Sequence, residues 1–182
     1  MQYIILAVVV VLVLWVIGSY NGLVRLRNHV EEAFSTMDVY LKKRYDLIPN
    51  LVETVKGYSK HESETLEQVI AARNRAVSAG SAEEKIACER EVTGALKSLF
   101  ALAEAYPDLK ANTNFLDLQQ SLKAVESDIA NARKYYNGVV KAYNIKTEVF
   151  PSSLIAGLFR FTRKPLYEVN DSAERENVKV QF

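Results

Sequence analysis

The chain has little of the material from which most active sites are made. Its one cysteine, Cys88, excludes an internal disulfide and any cysteine-rich zinc site. Two histidines, His29 and His61, leave little for a histidine-based metal centre. Lys and Arg number 23 against 22 Asp and Glu, so the basic excess of a nucleic-acid binder is missing and no such partner is expected. No Gly-rich phosphate loop, nucleophile elbow or Rossmann fingerprint occurs. Seven glycines and four prolines in 182 residues are few, and most fall where helices should end. No alternating strand pattern of useful length precedes the C-terminal tail, and no solenoid-length repeat is evident.

Charge is absent from residues 1–24, so every Lys, Arg, Asp and Glu lies in the remainder, which is long enough to bury one core. The run from Tyr3 to Gly18 is uninterruptedly apolar, and extended to Val24 it spans roughly 33 Å as a helix, matching a hydrocarbon core of about 30 Å. Its β-branched residues would suit a strand in water, but in lipid the backbone must satisfy its own hydrogen bonds and helix wins. No Lys or Arg precedes Arg25, so the basic start of a cleaved signal peptide is missing, and a lipoprotein anchor would need an N-terminal cysteine. An uncleaved span over 1–24 is expected, with Trp15 and Tyr20 near the headgroup layer. Arg25, Arg27, Lys42, Lys43 and Arg44 on its far side place the following domain in the cytoplasm by the positive-inside rule. Gly18 and Gly22 have the GxxxG spacing of a close helix–helix contact, or coincide at the edge of the span.

Residues 25–150 read as helix throughout. Phe115, Leu118, Leu122, Val125, Ile129, Ala132, Tyr136, Val139 and Tyr143 are spaced alternately by three and four, the pattern of a helix packed along its whole length, as in a coiled coil. Four helices are expected, at about 20–58, 60–79, 82–106 and 113–149, the first continuing out of the membrane. Pro49 should kink that first helix without stopping it, by removing the bond to the carbonyl of Tyr45. Ser59-x-x-Glu62 and Ser81-x-x-Glu84 read as capping boxes that open the next two helices, with Gly57 and Gly80 as stops before them. Short loops make neighbours antiparallel, so the fold class is all-α, a transmembrane helix running into an up-and-down four-helix bundle. The first and fourth helices are of similar length, so the fourth should return to the bilayer.

That return puts residues 151–182 at the membrane. Leu154, Ile155, Leu158 and Phe159, followed by Arg160, Arg163 and Lys164, form a segment too short to span; it either lies in the interface or folds back on the bundle. Val178 to Phe182 alternates like an edge strand pairing subunits, or is a loose tail.

Several stretches carry a likeness to a known family. The apolar N-terminal run, KRYDLIPNLVETVKGYSKHE (43–62), AARNRAV (71–77), EAYPDLKAN (104–112), FLDLQQSL (115–122), ARKYYN (132–137) and FP (150–151) resemble the LemA family over essentially the whole chain. The resemblance implies a bacterial single-pass membrane protein with a four-helix bundle and an N-terminus outside the cytoplasm. It implies no particular activity.

Candidates for chemistry reduce to structural roles. His61-Glu62 is not an HExxH motif, because position 65 is Thr, and His29 lies about 48 Å away along one helix. Glu53, Glu62, Glu64 and Glu67 lack the Glu-x-x-His partners of a di-iron bundle and read as a solvated face. No catalytic residue, metal ligand or cofactor is assigned. Arg44 falls on an apolar stripe at about 36 Å above the membrane, level with Glu126 at about 35 Å, which predicts an ion pair fixing helix register, unless Arg44 snorkels to water. Arg133 and Asp38, at roughly 24 and 27 Å, form a second candidate pair. Tyr136-Asn137 and Tyr143-Asn144 repeat on one face, as core tyrosines with bonded tips or as a subunit contact. Apolar Phe34, Leu41, Ile48, Val52 and Val55 beside the first helix's stripe exceed what one seam needs, through self-association or through cover by the other helices. A membrane-anchored scaffold or adaptor is expected, touching membrane lipids, further copies of itself, and membrane or cytoplasmic proteins. The alternatives are a hydrolase site between subunits using His61, or a sensor for a membrane protease or kinase.

Overall fold

A computed structural model describes residues 1–59 and 62–167 of the chain, so His61 and the alternating segment 178–182 lie outside the described residues. The described residues contain six helices and no strand: α1 (Gln2–Lys56), α2 (Ser63–Ser78), α3 (Ala82–Glu104), α4 (Pro107–Lys110), α5 (Thr113–Glu148) and α6 (Ser152–Leu158). The two long helices α1 and α5 pack against each other, while α2 and α3 form an antiparallel pair packed on α1. Leu41, Ile48, Val52 and Val55 are buried and Phe34 is half-buried in this core, so cover by the other helices accounts for their apolar width. Burying each Leu, Ile or Val side chain contributes about 1.5–3 kcal/mol, which is why the stripes and not local propensity set the architecture.

α1 runs unbroken from the apolar segment into the bundle, through Pro49. The proline leaves the Tyr45 carbonyl without its helical donor, and Arg73 of α2 supplies one, its Nε donating to that oxygen at 3.3 Å. A defect in one helix thereby becomes an anchor for its neighbour.

The helix ends follow local chemistry, with one correction. Ser81 caps α3, its hydroxyl accepting from the Glu84 N–H at 3.2 Å, while the Glu84 carboxylate reaches back to the N–H of Gly80 at 2.9 Å. Ser59 does not open a helix: its hydroxyl donates to the Val55 carbonyl at 3.0 Å and so closes α1, and α2 starts at Ser63 after Glu62. The spacing Ser-x-x-Glu is present, but the serine lies just past the final turn of α1, where bonding to the i−4 carbonyl competes with capping. Gly57 ends α1 in a right-handed conformation, so its stop needs no glycine-specific backbone. α3 ends two residues before the expected 106, and Pro107 starts the single turn of α4 at the position a proline favours. Asn112 caps α5 through the Phe115 N–H at 3.0 Å and also donates to the Tyr58 hydroxyl at 2.9 Å, tying the membrane-distal end of α1 to the start of α5.

After α5 the chain passes a cis Phe150–Pro151 bond into α6, which packs on α1. α6 ends in a Schellman arrangement, with the Phe161 N–H donating to Ala156 O at 2.9 Å and the Arg160 N–H to Gly157 O at 3.3 Å. The left-handed residue of that motif is Arg160, with φ 56°, where glycine would be the low-energy choice; the strain is on the order of 1 kcal/mol. Residues 161–167 then turn back along α5 as an irregular strap.

Because Arg73 serves a carbonyl that only Pro49 frees, the two residues should be coupled. Arg73→Leu is expected to lower unfolding free energy by about 1 kcal/mol in the natural chain and by clearly less beside Pro49→Ala. Urea denaturation of the four members of that cycle measures it, and equal losses in both backgrounds would refute the assignment.

Candidate functional site

The densest chemistry in the described residues is a buried polar cluster in the middle of the bundle. Arg44 on α1 is 1% exposed, and so is Glu89 on α3. The Arg44 guanidinium donates to the Glu89 carboxylate through Nη2 and to Glu126 on α5 through Nη1 at 2.9 Å. The neighbouring Tyr45 hydroxyl donates to the other Glu89 oxygen, and the hydroxyl of Tyr167, arriving from the strap, lies 3.4 Å from Glu89. One carboxylate therefore gathers donors from α1 and the strap while one guanidinium joins α1, α3 and α5.

Arg44 and Glu126 are thus brought together. Glu89 was not singled out in the sequence; it stands between Ile86 and Val92, both buried, and a carboxylate at that place on an apolar face was the available signal. The Arg133–Asp38 pair does not form. Asp38 instead takes Lys85 of α3 at 2.6 Å, and the Arg133 guanidinium lies 5.8 Å from the centre of the Tyr167 ring. Height along a helix does not fix which face a side chain occupies, and α3 brings Lys85 to Asp38.

Burial opposes the charge on Arg44, yet the fields of Glu89 and Glu126 outweigh it and hold the guanidinium above its ordinary pKa. Burial, helped by Glu89, pushes the hydroxyls of Tyr45 and Tyr167 well above the usual phenol range. Arg44 Nε is buried without a hydrogen-bond partner. Glu126 remains partly open to a groove of about 680 Å³ between α3 and α5, beside Phe100, Leu116 and Lys123. A second open cleft of about 480 Å³ lies between α1 and α2, lined by Pro49, Val52, Leu66 and Ile70, with Glu53 and Glu67 beside them.

The repeated Tyr-Asn pairs of α5 hold the strap. The Asn144 amide group both donates to and accepts from the backbone of Lys164, at 2.9 and 2.9 Å, and Asn137 does the same to Tyr167, at 2.9 and 2.8 Å. Tyr143 and Tyr136 donate to the carbonyls of Thr162 and Pro165 at 3.0 and 2.9 Å. Seven residues of helix advance about 10.5 Å, and three residues of extended chain about 10 Å, so the two periods match. Burial pushes the Tyr136 hydroxyl up to about 12 and raises that of Tyr143 as well.

At the base of the bundle, Ile155 and Ala156 of α6 pack on Leu23, with Trp15, Val16 and Phe161 around them. The Tyr20 ring lies 4.7 Å from that of Phe159 and 5.8 Å from that of Phe161. Leu154 and Leu158 face outward, Arg163 pairs with Glu148 at 3.0 Å, and Lys164 is held by its backbone. Tyr3 is exposed, and nothing lies within 4 Å of a Cβ built at Gly18 or Gly22, so both glycines are open to a neighbouring helix. The leading part of α1 is long and apolar enough to cross a membrane.

His29 is exposed, and among the described residues no three His, Cys, Asp or Glu side chains gather as a metal site. Cys88 is half-buried and free. Glu53, Glu64 and Glu67 are exposed, with Glu62 half-buried.

The sequence profile of the LemA family matches residues 33–182. Protein LemA of Metamycoplasma hominis is 27% identical over 77% of this chain, which spans 64% of that protein's length. Magnetosome protein MamQ 2 of Paramagnetospirillum magneticum is 22% identical over 96% of the chain and 74% of its own length. Magnetosome protein MamQ of Magnetospirillum gryphiswaldense is likewise 22% identical, over 90% and 70%.

Two outcomes are expected from the cluster and the strap. Arg44→Met leaves Glu89 buried without its cation and should cost about 3–5 kcal/mol in urea denaturation, whereas adding Glu89→Leu should restore most of it; a double variant as unstable as the single one would contradict the pairing. Unfolded phenols ionise near about pH 10. Phenols whose folded pKa lies higher contribute stability that is intact below that pH and lost as pH rises through the folded value. The denaturation midpoint should therefore fall between about pH 10 and 12, less so in Tyr136→Phe, and an unchanged midpoint across that window would refute the burial of these hydroxyls.

Proposed function

The chain belongs to the LemA family, and from that premise we propose that it is a non-enzymatic scaffold or adaptor that assembles with its own copies and binds other proteins at the bacterial cytoplasmic membrane. In this reading residues 1–24 anchor it in the bilayer and the bundle stands in the cytoplasm, where the basic residues from Arg25 onward favour it.

The observation that supports self-association is a second stripe on α5. Tyr135, Gly138, Ala142, Ile145 and Val149 follow the same alternating three and four spacing as the core face, but they point away from the bundle. Tyr135 is 56% exposed, Ile145 48% and Val149 44%. Nothing lies within 4 Å of a Cβ built at Gly138, so a neighbouring helix has room to approach. The stripe covers about 21 Å of the membrane-proximal half of α5. Anchoring confines copies to two dimensions and one orientation, which raises their effective concentration and lets a modest apolar seam suffice.

The full chain in detergent or lipid nanodiscs is expected to run as an oligomer on mass photometry. Tyr135→Glu with Ile145→Glu should shift it towards monomer with helical circular dichroism unchanged, and Val77→Glu on α2 should not. A wild-type chain that is strictly monomeric, or a double variant that associates as before, would overturn the proposal.

A further inference from the structure

The base of the bundle carries an apolar face whose position along α1 identifies what covers it. α6 is seated on Trp15, Val16 and Leu23, the last turns of the apolar run. If that run crosses the bilayer, α6 lies at its surface and not out in water. The helix is two-sided at that level: Ile155 and Ala156 are buried against α1, while Leu154 and Leu158 are 60% and 73% exposed. Phe150, just before the helix, is 80% exposed.

The charge around this face has one predominant sign. Arg25 and Arg27 leave α1 immediately above the apolar run, and Arg160, Arg163 and Lys164 follow α6. Arg163 is matched by Glu148 and Arg27 lies over the Phe161 ring, whereas Arg25 and Arg160 are exposed. Arg160 also occupies the left-handed position of the helix stop, which glycine would fill without strain. A strained, exposed cation at the rim of an apolar face is what a surface of negative headgroups over acyl chains would match.

We propose that α6 and its closing turn form a wedge seated in the acyl–headgroup boundary of the same bilayer that α1 crosses, with Leu154, Leu158 and Phe150 among the acyl chains and Arg160 against the phosphates of anionic lipids. This inference rests on the membrane-anchored reading of α1. The wedge gives the bundle a second point of attachment beside the anchor. One point leaves a body free to pivot, and two fix its tilt.

The test uses the full chain in nanodiscs made with lipids brominated high on the acyl chain, with and without phosphatidylglycerol. Trp15 is the chain's one tryptophan, so Trp15→Phe with Leu158→Trp reports on α6 alone, and Trp15→Phe with Val39→Trp reports on the bundle wall. Bromine is expected to quench the Leu158→Trp protein at least twofold, more strongly with phosphatidylglycerol, and to leave the Val39→Trp protein unaffected. Adding Arg160→Gly should abolish the phosphatidylglycerol dependence while leaving thermal stability equal or higher; a persisting dependence would overturn the headgroup contact. Quenching of native Trp15 without quenching at Leu158→Trp would overturn the wedge and spare the anchor. Failure of both would overturn the anchor and the wedge together. Quenching confined to discs with a single chain would assign the face to a second copy and overturn the lipid contact.

Discussion

A guanidinium fully removed from water in the middle of a helical bundle constrains everything near it. Arg44 is tolerated because Glu89 and Glu126 approach from two other helices, and because Tyr45 and Tyr167 occupy further bonding positions on Glu89. Sliding any one helix by a single residue would rotate its contribution by about 100° and leave a charge buried alone, at a cost of several kcal/mol. Apolar stripes resist a slip of one residue too, but they accept one of about seven, since one leucine then replaces another. The cluster therefore selects one alignment among several that the stripes would accept, and the desolvation it requires makes it a source of specificity more than of stability.

Much of this was legible in the residues. The alternating stripe of α5, the carbonyl that Pro49 frees, the cap at Ser81 and the level match of Arg44 with Glu126 all follow from spacing along the chain. What spacing does not carry is which face of one helix meets which neighbour. For that reason Glu89 was not assigned as a partner of Arg44, and Asp38 was matched to Arg133 when α3 delivers Lys85. Ser59 shows the complementary limit. A capping signature just past the last turn of a preceding helix is chemically able to close that helix instead, and here it does. The role of Tyr167 was beyond reach for another reason, because nothing in the periodicity of a bundle announces that a later irregular segment returns to its core.

That return also explains how unequal helices make one body. α2 and α3 are far shorter than α1 and α5, so the pair they cover extends beyond them towards the anchor. The strap and α6 occupy this lower part, with Tyr136, Val140 and Tyr143 fully buried there. The part of the bundle nearest the apolar run thus depends on residues after α5, which ties the fold of the base to the segment that follows that helix. Chains of the LemA family share a profile over residues 33–182, a span that includes the strap as well as the helices.

Asn137 and Asn144 of α5 grip the strap by its peptide groups and not by its side chains. Such a grip is indifferent to the side chains of Lys164 and Tyr167, which leaves the Tyr167 hydroxyl to its separate contact with Glu89. It is also doubled: the two amides hold peptide groups at Lys164 and Tyr167, so letting go of one leaves the ribbon fastened at the other.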